Sequence, residues 1–170
     1  MEQARTDRIG HGVDVVYEDR PYELLKNMAD KGVLVEINLT SNKLILGITG
    51  NQHPFSTYRK FGVPVALSTD DEGVSRIDLT HEYVRAVETY DLTYADLKEI
   101  VRNSLEYSFL PGASLWDEKG GYARVVPDCL SDVPGSDEPS LPCASFVRSS
   151  EKAAQQWELE RRFQAFEVSF

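Results

Sequence analysis

The sequence predicts an α/β fold with parallel strands, and three observations carry that prediction. The runs VLVEINL and VPVAL are mostly apolar rather than alternating, the pattern of strands covered on both faces. Between and after them lie amphipathic stretches with helical spacing and helix start and stop residues. Polar residues gather just past the apolar runs, at His11, at Thr40-Ser41-Asn42 and at Asp70-Asp71. In α/β folds the chemistry collects at the carboxyl ends of the strands, so three scattered polar spots become one expected site.

The elements follow in order. RIGHGVDV reads as a short strand ending in a glycine-bracketed histidine. PYELLKNMADKG reads as a helix, with Pro21 suited to the first turn, Tyr22, Leu25, Met28 and Ala29 on one face, and Gly32 at the exit. VLVEINLTSN is the second strand. KLILGITGNQHPFSTYRKFG carries two glycines and then a short helix from Pro54 to Gly62. VPVALS is the third strand. Beyond the double aspartate, DLTHEYVRAVETYD reads as a helix capped by Thr80, with Tyr83, Val84 and Val87 inward. TYADLKEIVRNSLEYSFL is the clearest helix: Thr93 and Asp96 have capping-box spacing, and Leu97, Ile100, Val101 and Leu105 form an apolar stripe. Residues 116–148 read as a Pro/Ser/Asp-rich loop with two cysteines, and residues 149–170 as an amphipathic helix with Ala153, Trp157, Phe163 and Phe166 along one side. No internal repeat is visible.

A chain of 170 residues that is 41% apolar suits one ordinary globular domain, or one piece of a larger one. The net charge of -10 disfavours nucleic acid and anionic membranes, because phosphate binding depends on Lys and Arg. No apolar run approaches the roughly 18 residues of a membrane span, and MEQARTDRIG lacks the apolar core of a secretory signal. The expected partner is a small molecule or a protein. Cys129 and Cys143 lack zinc-knuckle spacing; the spacing fits equally a disulfide in an oxidising compartment or two free thiols in a reducing one.

Adjacent ionised carboxylates repel, and burying either costs several kcal/mol unless a cation or donors compensate. A divalent metal would answer this at Asp70-Asp71, one aspartate ligating Zn²⁺ at about 2.0–2.2 Å and its neighbour relaying a proton or holding substrate. The alternative is a solvated turn, since Asp-Asp-Glu-Gly is good turn chemistry. His11 alone could be a hydrogen-bonded structural residue, but glycine on both sides lets a ligand approach the backbone. A neutral imidazole there could orient an attacking water. His53, before a proline, suits a capping or turn role, and His81 a solvated first turn; neither is expected to bind metal.

RIGHG at Arg8 to Gly12, HP at His53-Pro54, GVPVALSTDD at Gly62 to Asp71 and NSLEYSFL at Asn103 to Leu110 together resemble the carboxyl-terminal part of the adenosine deaminase family, over residues 8 to 115. The segment from Pro127 to Glu167 further resembles the larger secreted deaminase-like proteins of growth-factor type. What the resemblance implies is zinc-dependent hydrolytic deamination of an adenine nucleoside on a TIM-type (β/α)8 barrel, of which residues 1–115 would supply strands six to eight. In that family the histidine of the GHG motif, here His11, assists attack on the ring carbon bearing the amino group, with Gly12 beside the substrate. The first aspartate, here Asp70, is a zinc ligand; the second, here Asp71, bonds the substrate and aligns the water.

The family also uses an HxH pair and a further histidine with a nearby glutamate, and none has a counterpart here: the histidines are 11, 53 and 81, and no HxH occurs. The resemblance therefore implies the last part of a longer enzyme whose amino-terminal barrel half is the needed partner. Three parallel strands cannot close a barrel and leave an edge exposed. The expectation is a chain that alone holds no stoichiometric zinc and does not deaminate adenosine. Glu72-Gly73 replaces the proline many members carry after the double aspartate, which leaves the substrate open between adenosine and a modified adenine nucleoside or nucleotide. The rival is a non-catalytic binding, complementing or truncated chain of the same fold. Location stays open, extracytoplasmic for a parent of the secreted type and otherwise cytoplasmic.

Overall fold

The computed structural model describes residues 6–169, which divide into two compact units, the first ending at Ser104 and the second beginning at Leu105. In the first, β1 (Arg8–Gly10), β2 (Leu34–Ile37) and β3 (Val65–Leu67) form a parallel sheet in the order β1-β2-β3, with Ile9 opposite Val35 and Glu36 opposite Ala66. Parallel neighbours need crossover connections, and these are supplied by α1 (Pro21–Lys31) and by α2 (Leu39–Leu46) with α3 (Phe55–Lys60). After β3 come α4 (Glu72–Ser75), α5 (Leu79–Tyr90) and α6 (Tyr94–Glu106).

Strand pleating puts Val33, Val35, Ile37, Val63, Val65 and Leu67 on one face, where they pack with Leu25 and Met28 of α1, Phe55 and Tyr58 of α3, Ala86 of α5 and Ile100 of α6. Glu36, on the alternate face, takes an ion pair from Arg8 at 2.8 Å. The sheet edge is partly blunted: the buried Asn103 amide donates to the Val65 carbonyl at 3.0 Å. Pro21 opens α1 and Gly32 closes it in the left-handed region (φ 61°), as the sequence predicts. The Thr93–Asp96 box is reciprocal, Thr93 N–H donating to the Asp96 carboxylate (2.8 Å) and Asp96 N–H to the Thr93 hydroxyl (3.2 Å).

Three expectations need correction. Helix α5 is capped by Asp78, not Thr80; its carboxylate accepts the His81 N–H at 2.8 Å, and its buried face runs through Glu82 and Ala86, which leaves Val84 outward (49% exposed). LTSNKLIL, read as the end of a strand and a loop, is helix α2, whose Thr40 N–H is held by both carboxylate oxygens of the buried Glu82 (3.1 and 3.3 Å). That cap comes from 42 residues away, beyond any local signal. Residues 116–148 are not a plain loop: they hold a hairpin and most of a helix, described next.

In the second unit, β4 (Trp116–Glu118) and β5 (Gly121–Val125) form an antiparallel hairpin around Gly120 in the left-handed region (φ 76°). Helix α7 (Leu141–Ser149) carries Pro142 in its first turn, where a missing N–H is tolerated, so this proline starts a helix rather than breaking one. A disulfide joins Cys129 to Cys143, both fully buried beside Leu115, Trp116, Val125, Ala153 and Trp157. On α8 (Glu151–Val168) the buried side is half polar: Gln156 and Glu160 join Ala153 and Trp157, and Phe166 is 49% exposed. Gln156 is held by the Leu115 N–H (2.7 Å) and by its own donation to Glu106 (2.7 Å), which explains a polar residue where an apolar stripe is expected. No helix among the described residues is long and apolar enough to cross a membrane.

Candidate active site at the carboxyl ends of the strands

His11 directly follows β1, and its N–H extends the ladder to the Glu36 carbonyl (3.0 Å). Its own φ is 63° and that of Gly12 is 59°, so two successive residues are left-handed. For histidine this conformation is strained, and such strain concentrates at functional sites. The Gly12 carbonyl accepts the Tyr58 hydroxyl at 2.6 Å, and a Cβ on Gly12 would lie 2.5 Å from that oxygen. Glycine is therefore required at this position by both conformation and space. Burial, then the nearby Glu18 charge, raise the Tyr58 phenol and keep it a neutral donor.

Asp70 lies three residues past β3 and also has a positive φ, 55°. Its Oδ2 accepts the Ser41 hydroxyl at 2.7 Å and stands 3.7 Å from His11 Nε2. The side chains are 41% exposed for His11 and 31% for Asp70, so the pair is reachable from solvent. Asp71 occupies the cap position of α4 without a side-chain capping bond and is exposed. Among the described residues it takes no part in the His11–Asp70 network.

Two asparagines and a buried histidine reach His11 from behind. The Asn42 amide donates to His11 Nδ1 at 2.9 Å, and the Asn38 amide approaches the same nitrogen at 3.3 Å. Asn42 Oδ1 in turn accepts from Nε2 of the buried His53 at 3.0 Å, while His53 Nδ1 accepts the Phe55 N–H at 3.1 Å. Burial, and secondarily the charge of His11, lower His53 from 6.5 to about 4. Sequence reasoning placed His53 in a capping role, which its Phe55 contact fulfils, and missed its inward contact. The signal that could have found it is the spacing that puts Asn42 on the first turns of an unrecognised helix. His81 is exposed on α5, as the sequence predicts.

Beside His11 opens a cavity of about 330 Å³ lined by Gly12, Asp14, Glu18, Leu24, Met28 and Tyr58 as well as His11 itself. That is within the roughly 300–1,000 Å³ typical of small-molecule sites. As a metal centre the set falls short. No group of three or more His, Cys, Asp or Glu side chains able to hold an ion occurs among the described residues, whereas zinc takes about four donors. The described residues alone do not fit zinc.

Comparison with known proteins gives a consistent answer. Residues 1–116 match the family described as adenosine deaminase. An adenosine deaminase of Clostridium perfringens is 36% identical over 110 residues, covering 64% of this chain and 32% of that protein. The apo structure of the N6-methyl-AMP deaminase from Arabidopsis thaliana matches with a TM-score of 0.52 and 31% identity, over 61% of this chain and 29% of that one. A zinc-bound amidohydrolase from Burkholderia ambifaria, 21% identical with a TM-score of 0.53 over 61% of this chain and 29% of its own, shares the fold. The chain spans about a third of the length of the proteins it matches.

Proposed function

The chain belongs to the adenosine deaminase family, and from that premise we propose that it supplies the carboxyl-terminal part of a zinc-dependent active site that hydrolytically deaminates adenosine or a related adenine nucleoside or nucleotide. In this reading β1, β2 and β3 are strands six to eight of a (β/α)8 barrel. Water oxygen bonds to the ring carbon bearing the amino group, that carbon–nitrogen bond breaks, and ammonia leaves with an inosine-type product.

The observation that carries the reading is the approach of His11 to Asp70, at 3.7 Å, from the ends of two strands that do not pair with each other. Asp70, held by Ser41, would be the one anionic ligand this chain offers to zinc, and the remaining donors would have to come from an amino-terminal barrel half outside these residues. His11 lies beside the attacking oxygen, Asp71 bonds the purine and aligns the water, and the Gly12 backbone lines the substrate. The names of the Clostridium and Arabidopsis relatives support a purine substrate and leave nucleoside and nucleotide both in range. The buried Cys129–Cys143 disulfide supports a place outside the reducing cytosol.

One observation favours a second reading, a non-catalytic chain that complements another polypeptide: the described residues offer too few metal donors to act alone. Mixing the chain with an amino-terminal half carrying the missing histidines and glutamate, then following adenosine absorbance, separates the two. Turnover that appears on mixing and vanishes with Asp70→Ala supports the enzyme part; turnover indifferent to Asp70→Ala removes the metal role.

A further inference from the structure

We infer that His53 is a positioning residue that, through Asn42, fixes the ring and tautomer of His11, so that His11 meets the site with an Nε2–H donor. The inference rests on the reading of His11 as a site residue but concerns its hydrogen bonding, which can be measured without turnover.

The direction of the chain follows from donors and acceptors. The Phe55 N–H can only donate, so His53 Nδ1, 3.1 Å away, must be the bare nitrogen. A neutral His53 then carries its proton on Nε2. That N–H can be matched at 3.0 Å only by the oxygen of Asn42, which settles the orientation of the Asn42 amide. Its NH₂ therefore faces His11 Nδ1 at 2.9 Å, and the NH₂ of Asn38 approaches the same atom at 3.3 Å. With Nδ1 engaged as an acceptor, neutral His11 holds its proton on Nε2, the nitrogen facing Asp70. His53 and Asn42 are both at most 3% exposed, so water does not compete for these bonds. Presented this way, His11 donates a hydrogen bond to an attacking or developing oxygen and cannot take a proton from it at Nε2.

The test is a long-range ¹H–¹⁵N spectrum of histidine-labelled, metal-free 170-residue chain, recorded above the range in which free imidazole protonates. The wild type is expected to show both His11 and His53 as Nε2–H. Asn42→Asp is nearly isosteric but offers only acceptors, so it should move the His11 proton to Nδ1. His53→Leu should mix the His11 tautomers, and His53→Gln, which keeps an amide donor for Asn42, should restore Nε2–H. A wild-type His11 protonated on Nδ1, or a His11 spectrum unchanged by Asn42→Asp, overturns the inference. Adenosine turnover in the reconstituted barrel is a separate readout: its absence with the tautomers as expected defeats the deaminase reading and leaves the relay standing.

Discussion

His11 Nε2 and Asp70 Oδ2 lie 3.7 Å apart although the strands that lead to them flank β2 on opposite sides. Each follows its strand in a left-handed residue, and together they close the gap over the end of β2. The separation exceeds a hydrogen bond, and it leaves both groups within reach of one shared atom.

In the barrel reconstituted with an amino-terminal half, His11→Ala should lower turnover by about 10²–10³-fold, the range for losing one preorganised donor to a developing oxygen charge. Asp70→Asn should cost about 10²-fold or more while leaving stability close to wild type, because asparagine tolerates the left-handed backbone and still accepts from Ser41. Steady-state kinetics and urea denaturation check the two halves. Metal analysis of the 170-residue chain alone should find no stoichiometric zinc, and one tightly held ion per chain would contradict the split-site reading.

Gly12→Ala should destabilise by about 1–3 kcal/mol, from the positive φ and the clash with the Tyr58 hydroxyl. Gly10→Ala, where an added Cβ meets nothing within 4 Å, should change stability by less than about 1 kcal/mol. Urea midpoints for the pair provide the comparison.

The depressed His53 predicts a pH dependence of stability. Between 6.5 and about 4 the unfolded chain holds a proton on His53 that the folded chain refuses, so stability falls as pH falls through that window. Below about 4 both states are protonated and the loss is complete. At 1.36 kcal/mol per unit the full effect is about 3 kcal/mol. His53→Gln should flatten this part of the curve of unfolding free energy against pH.

Reducing the Cys129–Cys143 disulfide, which spans 14 residues, should destabilise the unit Leu105–Phe170 by about 3 kcal/mol through loop entropy restored to its unfolded state. The Cys129→Ala/Cys143→Ala pair should show the same loss in the absence of reductant. Near-ultraviolet circular dichroism of Trp116 and Trp157, both beside the bridge, reads it.

The parallel α/β pattern was legible because buried strands and amphipathic helices each leave a local period, and Thr93 and Asp96 announced their cap within four residues. The gathering of His11 and Asp70 was legible from their places after apolar runs. Helix α2 was not, because Thr40, Ser41 and Asn42 favour turns locally and are held helical by Glu82, far along the chain. His53 was half legible: its proline neighbour announced the cap, while its bond to Asn42 exists only once α2 does. The role of Pro142 as a helix starter was hidden by the proline-rich composition around it.

His11 and Asp70 hold left-handed backbones that glycine would occupy with less strain. Glycine would relieve that strain but leave the buried Asn42 amide and the Ser41 hydroxyl without these acceptors, so selection for heat resistance alone would weigh one cost against the other. On the proposed reading, a variant that settled the balance toward glycine would hold its architecture without the two groups that meet at 3.7 Å, so thermal screens on this protein call for a parallel assay of function.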